Sequence, residues 1–246
     1  MKNRTLKTVS FIILGLIVAI LIFMASFFMT SYGPSTEAIA SLEDSTSVDV
    51  TENNFITFTP ENTEATTGLI IYPGAKVEPE SYALLANKIA QAGYEVIITP
   101  MPLNFAIFDS DAADEVISKF PNIKNWAIGG HSLGGVMAAK YASENDNIDG
   151  VIFYASYPQG DELKDSDIEV TSIYGSDDGV ADLEKIADSK DLLPTSTTFV
   201  EIPGGNHAQF GSYGEQSGDN PAEISANEQI NIAADATIKL LSDISK

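Results

Sequence analysis

Asn125-Trp-Ala-Ile-Gly-Gly-His-Ser-Leu-Gly-Gly135 joins an apolar, strand-like run to a helix-like one, Leu133 to Ser143, through residues that match G-x-S-x-G. A serine on a sharp strand-to-helix turn stands at the edge of a sheet with its hydroxyl free to meet a substrate. Only small residues fit around such a turn. Gly130 and Gly134 lack a Cβ, so neighbouring backbone can approach and strained dihedrals cost less. The five residues alone carry little information, because G-x-S-x-G arises by chance in many chains. The strand before and the helix after give them weight, and they make Ser132 a candidate nucleophile.

Outward from this stretch the chain alternates strand and helix signals. Apolar, β-rich runs occupy Phe55–Phe58, Leu69–Tyr72, Tyr94–Thr99, Trp126–Gly129, Val151–Ala155, Val170–Tyr174 and Phe199–Ile202. Between them Tyr82, Leu85, Ala86 and Ile89 mark one helical face, stopped by Gly93. Near the end, Ser225 and Glu228 form a capping box ahead of Ile230, Ala234, Ile238 and Leu241. Near-continuous apolar strands alternating with helices predict a mostly parallel, doubly wound α/β sheet covered on both faces. Residues 55–246 are assigned to this domain.

The first 30 residues read as a separate object. Phe11–Met29 is almost purely apolar, long enough as a helix to cross a bilayer's hydrocarbon layer. Lys2, Arg4 and Lys7 precede it, and no Lys or Arg follows until Lys76. The positive-inside rule then predicts a single-pass anchor in the cell membrane, N-terminus cytoplasmic and domain outside. The competing expectation is secretion after signal cleavage. The apolar run is long for a signal peptide, and the one A-x-A, Ala38-Ile-Ala40, lies far beyond it. Residues 31–54, rich in Ser, Thr, Glu and Asp, read as a polar tether that merges into an edge strand.

Composition excludes several classes. The 246 residues carry a net charge of −22, and with the three N-terminal cations set aside 10 basic residues face 35 acidic ones. Nucleic acid and a polybasic lipid-binding face are poor partners for such a surface. No cysteine is present and only two histidines are, so a zinc site and a thiol nucleophile are not expected. Asp109, Asp111, Asp114 and Glu115 imitate a cation loop but lack the glycine and terminal glutamate of a calcium hand, and they suit the start of a helix instead. No metal or other cofactor is expected.

Ser132 needs a base and an acid to orient it. His131 adjoins the serine in the turn, with its side chain directed away. His207 sits in the loop Pro203-Gly-Gly-Asn-His-Ala-Gln-Phe-Gly211, past a strand end where open parallel sheets place their sites. The loop Gly175-Ser-Asp-Asp178 offers Asp177 and Asp178 between the two in chain order.

In the order Ser132, Asp178, His207 the chain resembles the α/β-hydrolase superfamily over about residues 55–244, in particular its small lidless, dienelactone-hydrolase-like branch. The resemblance of Gly175-Ser-Asp-Asp178 to that family's G-x-x-D implies Asp178 rather than Asp177 as the acid. It also implies an oxyanion hole made by the backbone N–H of Leu133 and of Gly74 or Ala75, although Tyr72-Pro73-Gly74-Ala75 stands where many relatives carry His-Gly-x. The implied activity is hydrolysis of a small acyl ester or thioester through an acyl-enzyme. Only fourteen residues separate the Val151–Ala155 and Val170–Tyr174 runs, leaving no room for a large lid. Met101, Leu103, Phe105 and Tyr157 are candidate walls of the acyl pocket. Two other readings stand beside hydrolysis: an acyltransferase on the same residues, and a membrane-tethered, non-catalytic interaction module of the same fold.

Overall fold

The computed structural model describes residues 13–20, 22, 24, 26, 30–43 and 45–245. The chain divides into two units, Met1–Ser31 and Tyr32–Lys246. In the first, the described part of Phe11–Met29 is helical, and Ile13, Leu14, Leu16, Ile17 and Val18 are all exposed. The rest of that predicted anchor lies outside the described residues. Among the described residues no helix is long and apolar enough to cross a membrane.

In the second unit eight strands form one sheet: β1 (Val48–Glu52), β2 (Ile56–Pro60), β3 (Thr67–Tyr72), β4 (Glu95–Ile98), β5 (Asn125–His131), β6 (Gly150–Tyr154), β7 (Glu169–Gly175) and β8 (Thr198–Ile202), in the order β1-β2-β4-β3-β5-β6-β7-β8. The pairs β1–β2 and β2–β4 are antiparallel, and the rest of the sheet is parallel. Its helices are α1 (Thr36–Ala40), α2 (Ala83–Gln91), α3 (Ala112–Lys119), α4 (Leu133–Glu144), α5 (Leu183–Asp188) and α6 (Ala226–Ile244).

Alternation along the strands builds two cores. Leu69, Ile71, Val96, Ile98, Ala127, Ile152 and Tyr154 pack with Leu85 and Ile89 of α2 and Ile230, Ala233 and Leu241 of α6. Their neighbours Ile70, Tyr72, Ile97, Ile128, Val151 and Phe153 face the other way, onto Ala113 and Val116 of α3 and Met137, Ala138 and Tyr141 of α4. Helices therefore cover both faces, as the sequence pattern predicts.

One expectation changes. The segment from Tyr32 is not a tether. Tyr32 pairs with Val77 as a β-bridge, its N–H donating to Lys76 O at 2.7 Å and its C=O accepting from Glu78 N–H at 3.0 Å. Ser35 then caps α1 and donates its N–H to Ser212 O at 2.7 Å. Polar composition suggested a solvated linker, but here the polar groups are spent on backbone pairing. One helix, α5, is too short for periodicity to reveal; it starts where the Asp182 carboxylate accepts from Glu184 N–H and Lys185 N–H.

Candidate active site

The parallel strands run the same way, so the loops after β3, β5, β7 and β8 share one edge of the sheet. Ser132 follows β5 directly. It holds φ 52° and ψ −122°, a left-handed setting that side chains rarely adopt. The turn is fixed on both sides: Ser132 N–H donates to Tyr154 O at 3.0 Å, and the Ser156 hydroxyl donates to Ser132 O at 2.7 Å. The flanking glycines are obligatory. A Cβ on Gly130 would lie 2.3 Å from the Gly134 carbonyl carbon, and one on Gly134 would lie 2.2 Å from Tyr72 O. Ser132 itself is half-buried.

His207 comes from the loop after β8 and is 1% exposed. Its Nδ1 lies 2.8 Å from Asp178 Oδ2. The other Asp178 oxygen accepts from Val180 N–H at 2.8 Å and Ala181 N–H at 2.7 Å, which fixes the carboxylate. A carboxylate can only accept, so Nδ1 carries the proton and Nε2 is left as the acceptor. Asp177 has another occupation, accepting the Ser176 hydroxyl at 3.0 Å.

Four residues around this pair have roles that the sequence did not reveal. Asp219 braces the loop of the base, accepting from His207 N–H (3.3 Å), Ala208 N–H (2.8 Å) and Gly179 N–H (2.9 Å). Gln229, on α6, accepts from Asn206 N–H at 2.9 Å and donates back to Asn206 O at 2.7 Å. His131, directed away from Ser132, instead packs its ring on that of His207, with centroids 4.5 Å apart. The Tyr82 hydroxyl lies 2.8 Å from His131 Nδ1 and accepts Gly74 N–H at 2.9 Å. None of these carries a local signal, because each partner arrives from a distant part of the chain.

That last contact corrects one expectation. Gly74 N–H is committed to Tyr82 and is not available to a substrate. Ala75 is half-buried beside it, and Leu133 N–H, at the first position of α4, lies beyond the reach of the helix's own carbonyls.

The four candidate pocket walls differ in exposure. Met101 is buried in the core against α3 and α4. Leu103 is exposed at φ 55°, Phe105 is half-buried with its ring 6.0 Å from that of Phe108, and Tyr157 is half-buried elsewhere. A cavity of about 610 Å³ beside the base loop is lined by Ser35, Asn206, Gln209, Ser212 and Asp219 among others, and by none of those four. Of the acidic residues near α3, Asp114 accepts the Tyr141 hydroxyl and Glu115 pairs with Lys119. Among the described residues no cluster of three or more His, Asp or Glu side chains is arranged to hold a metal ion.

Comparison with known proteins follows this geometry. A search of curated protein sequences finds no match. Among solved structures, Est1E of Butyrivibrio proteoclasticus with ferulic acid bound is similar at a TM-score of 0.61 and 13% identity, over 81% of this chain and 98% of that one. A protein of Thermoplasma acidophilum described as a predicted CIB-like hydrolase is similar at 0.55 and 16%, over 78% and 97%. At such identities the likeness establishes the fold. The sequence pattern described as the alpha/beta hydrolase family matches residues 68–231, from β3 into α6 and through every loop described above. The chain belongs to the alpha/beta hydrolase family.

Proposed function

We propose that the protein is a serine hydrolase that cleaves a small carboxylic ester or thioester through an acyl-enzyme on Ser132, His207 and Asp178. The observation that carries this reading is the strained backbone of Ser132, kept at the same sheet edge as a buried His207–Asp178 pair whose Nε2 is left as acceptor. Strain of this kind persists only where the surroundings impose it, and it clusters at functional sites.

In the proposed reaction His207 Nε2 takes the Ser132 proton as Oγ attacks the acyl carbon. Asp178 holds the imidazole tautomer and stabilises the imidazolium. Leu133 N–H and Ala75 N–H receive the oxyanion. The tetrahedral centre collapses, the C–O or C–S bond breaks, and His207 gives its proton to the departing alcohol or thiol. Water then attacks the acyl-enzyme, His207 takes its proton, and the carboxylic acid leaves as Ser132 recovers its hydrogen. The fold neighbour Est1E has been solved holding ferulic acid, a carboxylic acid, which supports an acyl substrate here.

The same proposal keeps the domain at the outer face of the cell membrane, on residues 11–29. Support comes from apolar helical residues exposed in succession, Ile13 to Ile20. Carbonate extraction of membranes, followed by protease digestion of intact cells, checks this. The proposal predicts that the chain stays in the pellet and its domain is cut from outside.

For the chemistry, the test is a panel of p-nitrophenyl acyl esters and acyl thioesters of rising chain length, with the acyl-enzyme sought by intact mass after rapid acid quenching. Wild type should turn over short acyl groups, while Ser132→Ala and His207→Ala should not. Turnover that survives Ser132→Ala would overturn the mechanism.

A further inference from the structure

The mechanism leaves two fully buried titratable groups unused, His131 and Tyr82, which touch each other and two of the loops that make the site. We propose that Tyr82 and His131 are positioning residues that lock the oxyanion loop and the ring of the base in register as one unit. This rests on the serine-hydrolase reading above and deepens it.

A phenol oxygen has one hydrogen and two acceptor sites. Gly74 N–H donates to Tyr82 at 2.9 Å and fills one of those sites. His131 Nδ1 lies 2.8 Å from the same oxygen. If Nδ1 carried a proton it would donate to the second site, and the phenol hydrogen would be stranded in the core. The reverse leaves fewer groups without a partner: Tyr82 donates to Nδ1, and the His131 proton sits on Nε2. Burial raises the Tyr82 pKa, so the phenol keeps its hydrogen. Burial, and then the proximity of His207, hold His131 well below the usual histidine range, so its ring stays neutral.

The His131 ring is boxed by His207 at 4.5 Å, Tyr82 at 5.9 Å, Phe210 at 6.0 Å and Tyr213 at 6.4 Å. Its Nε2 is buried and makes no hydrogen bond of ordinary geometry among the described residues, while the nearby His207 backbone favours a proton on this ring. A neutral ring in this place supports the His207 imidazole without competing for its proton. The fit on the other side is tight. A Cβ at Gly74 would lie 2.7 Å from His131 Nδ1 and 3.1 Å from the Tyr82 oxygen. Gly74 O in turn accepts Val77 N–H at 3.2 Å. With both its N–H and its C=O held, the Gly74 backbone sets the direction of the next N–H, that of Ala75. The chain Ala75–Gly74–Tyr82–His131–His207 thus connects the proposed oxyanion donor to the base, with Ser132 next to His131 in sequence.

The test uses the full chain in detergent micelles, with Tyr82→Phe, His131→Leu, His131→Asn and the Tyr82→Phe/His131→Leu double variant. The Asn variant places a hydrogen-bonding atom near the position of Nδ1. Expected are about tenfold losses of kcat in each of Tyr82→Phe and His131→Leu with KM within twofold, the pattern of an interaction expressed in the transition state. The double variant should lose little more than either single one, and His131→Asn should recover most of the loss. Losses that multiply, kcat per folded molecule within twofold of wild type in either single variant, or no recovery with Asn, would overturn the proposal.

Long-range proton–nitrogen NMR of the histidine rings reads the same device without catalysis. It should find His131 with its proton on Nε2, unchanged from about pH 5 to 9, a range on both sides of an ordinary histidine's titration. A titrating ring, or a proton on Nδ1, would overturn the proposal even if the enzyme is active. A wild type that hydrolyses no ester, yet shows the expected tautomer, would bring down the hydrolase reading and the kinetic role with it.

Discussion

At Ser132 the chain holds a side chain in a backbone setting that favours glycine, φ 52° and ψ −122°. Such a setting costs of order 1–3 kcal/mol. Ser132→Gly should therefore leave the protein at least as stable as wild type, the relief of strain offsetting the roughly 0.5–1 kcal/mol entropic cost of glycine, while turnover disappears. Thermal denaturation beside ester hydrolysis checks both halves. Asp178 is the second residue with a sharp expectation. Asp178→Asn removes the acceptor that holds the His207 Nδ1 proton, and kcat should fall by roughly 10⁴ with little change in melting temperature. The sequence offers Ser132, His207 and Asp178 as candidates because each follows a strand in a short, glycine-marked loop. Asp219, Gln229, Tyr82 and the packing of His131 were not legible there, because what each does depends on which distant loop folds against it. Gly74 shows the same limit. The family resemblance offered it, beside Ala75, to the oxyanion hole, and a hydroxyl eight residues away claims its N–H.

Among the elements, the central strands were read from apolar runs to within about two residues, since each is buried on both faces and needs no alternation to be seen. The edge was harder. In β4, Glu95 is 5% exposed and accepts the Thr59 hydroxyl of β2 at 2.7 Å, with Asp49 of β1 in the same row. Burial, the larger cause, and Asp49 push its pKa up to about 7, and the Thr59 hydrogen bond opposes them. The folded carboxyl thus keeps its proton up to about pH 7, whereas the unfolded one loses it near 4.5. The folded state binds the extra proton between these values, so stability falls as pH rises from about 4.5 to 7, by up to roughly 3 kcal/mol. Glu95→Gln should remove that slope and melt higher than wild type at pH 8. A denaturation series across pH, run on both proteins, tests it. The β5–α4 junction gives the opposite kind of prediction. Gly134→Ala would drive a Cβ to 2.2 Å from Tyr72 O, backbone that cannot swing aside. The expected loss is about 3 kcal/mol or more, several degrees of melting temperature.

Over the whole molecule, the main departure from the sequence reading is where the domain begins. Ser- and Thr-rich composition read as a tether merging into an edge strand up to residue 54, yet Tyr32 pairs with Val77 in the loop after β3, has its ring 5.5 Å from that of Tyr213 and accepts Ser217 N–H at 3.3 Å. Ser35 joins Ser212 by backbone and by hydroxyl. Residues 32–35 therefore stitch the loop after β3 to the segment after His207. A chain starting at Ser45 should melt several degrees below one starting at Ser31 and lose kcat. Equal behaviour would show that the strap contributes nothing. The doubly wound sheet itself was legible because strand and helix periods alternate from β3 to β6 and end on α6, although β6 and β7 have no helix between them and α5 is too short to show a period. Everything in the functional account depends on Ser132 being an activated nucleophile. The most direct measurement is labelling of the full-length chain with a fluorophosphonate, with the modified peptide located by mass spectrometry. The account predicts a single adduct on Ser132, absent in Ser132→Ala and formed at least a hundredfold more slowly in His207→Ala, roughly the contribution of a general base. A folded wild type that stays unlabelled, or an adduct that persists in Ser132→Ala, would contradict it.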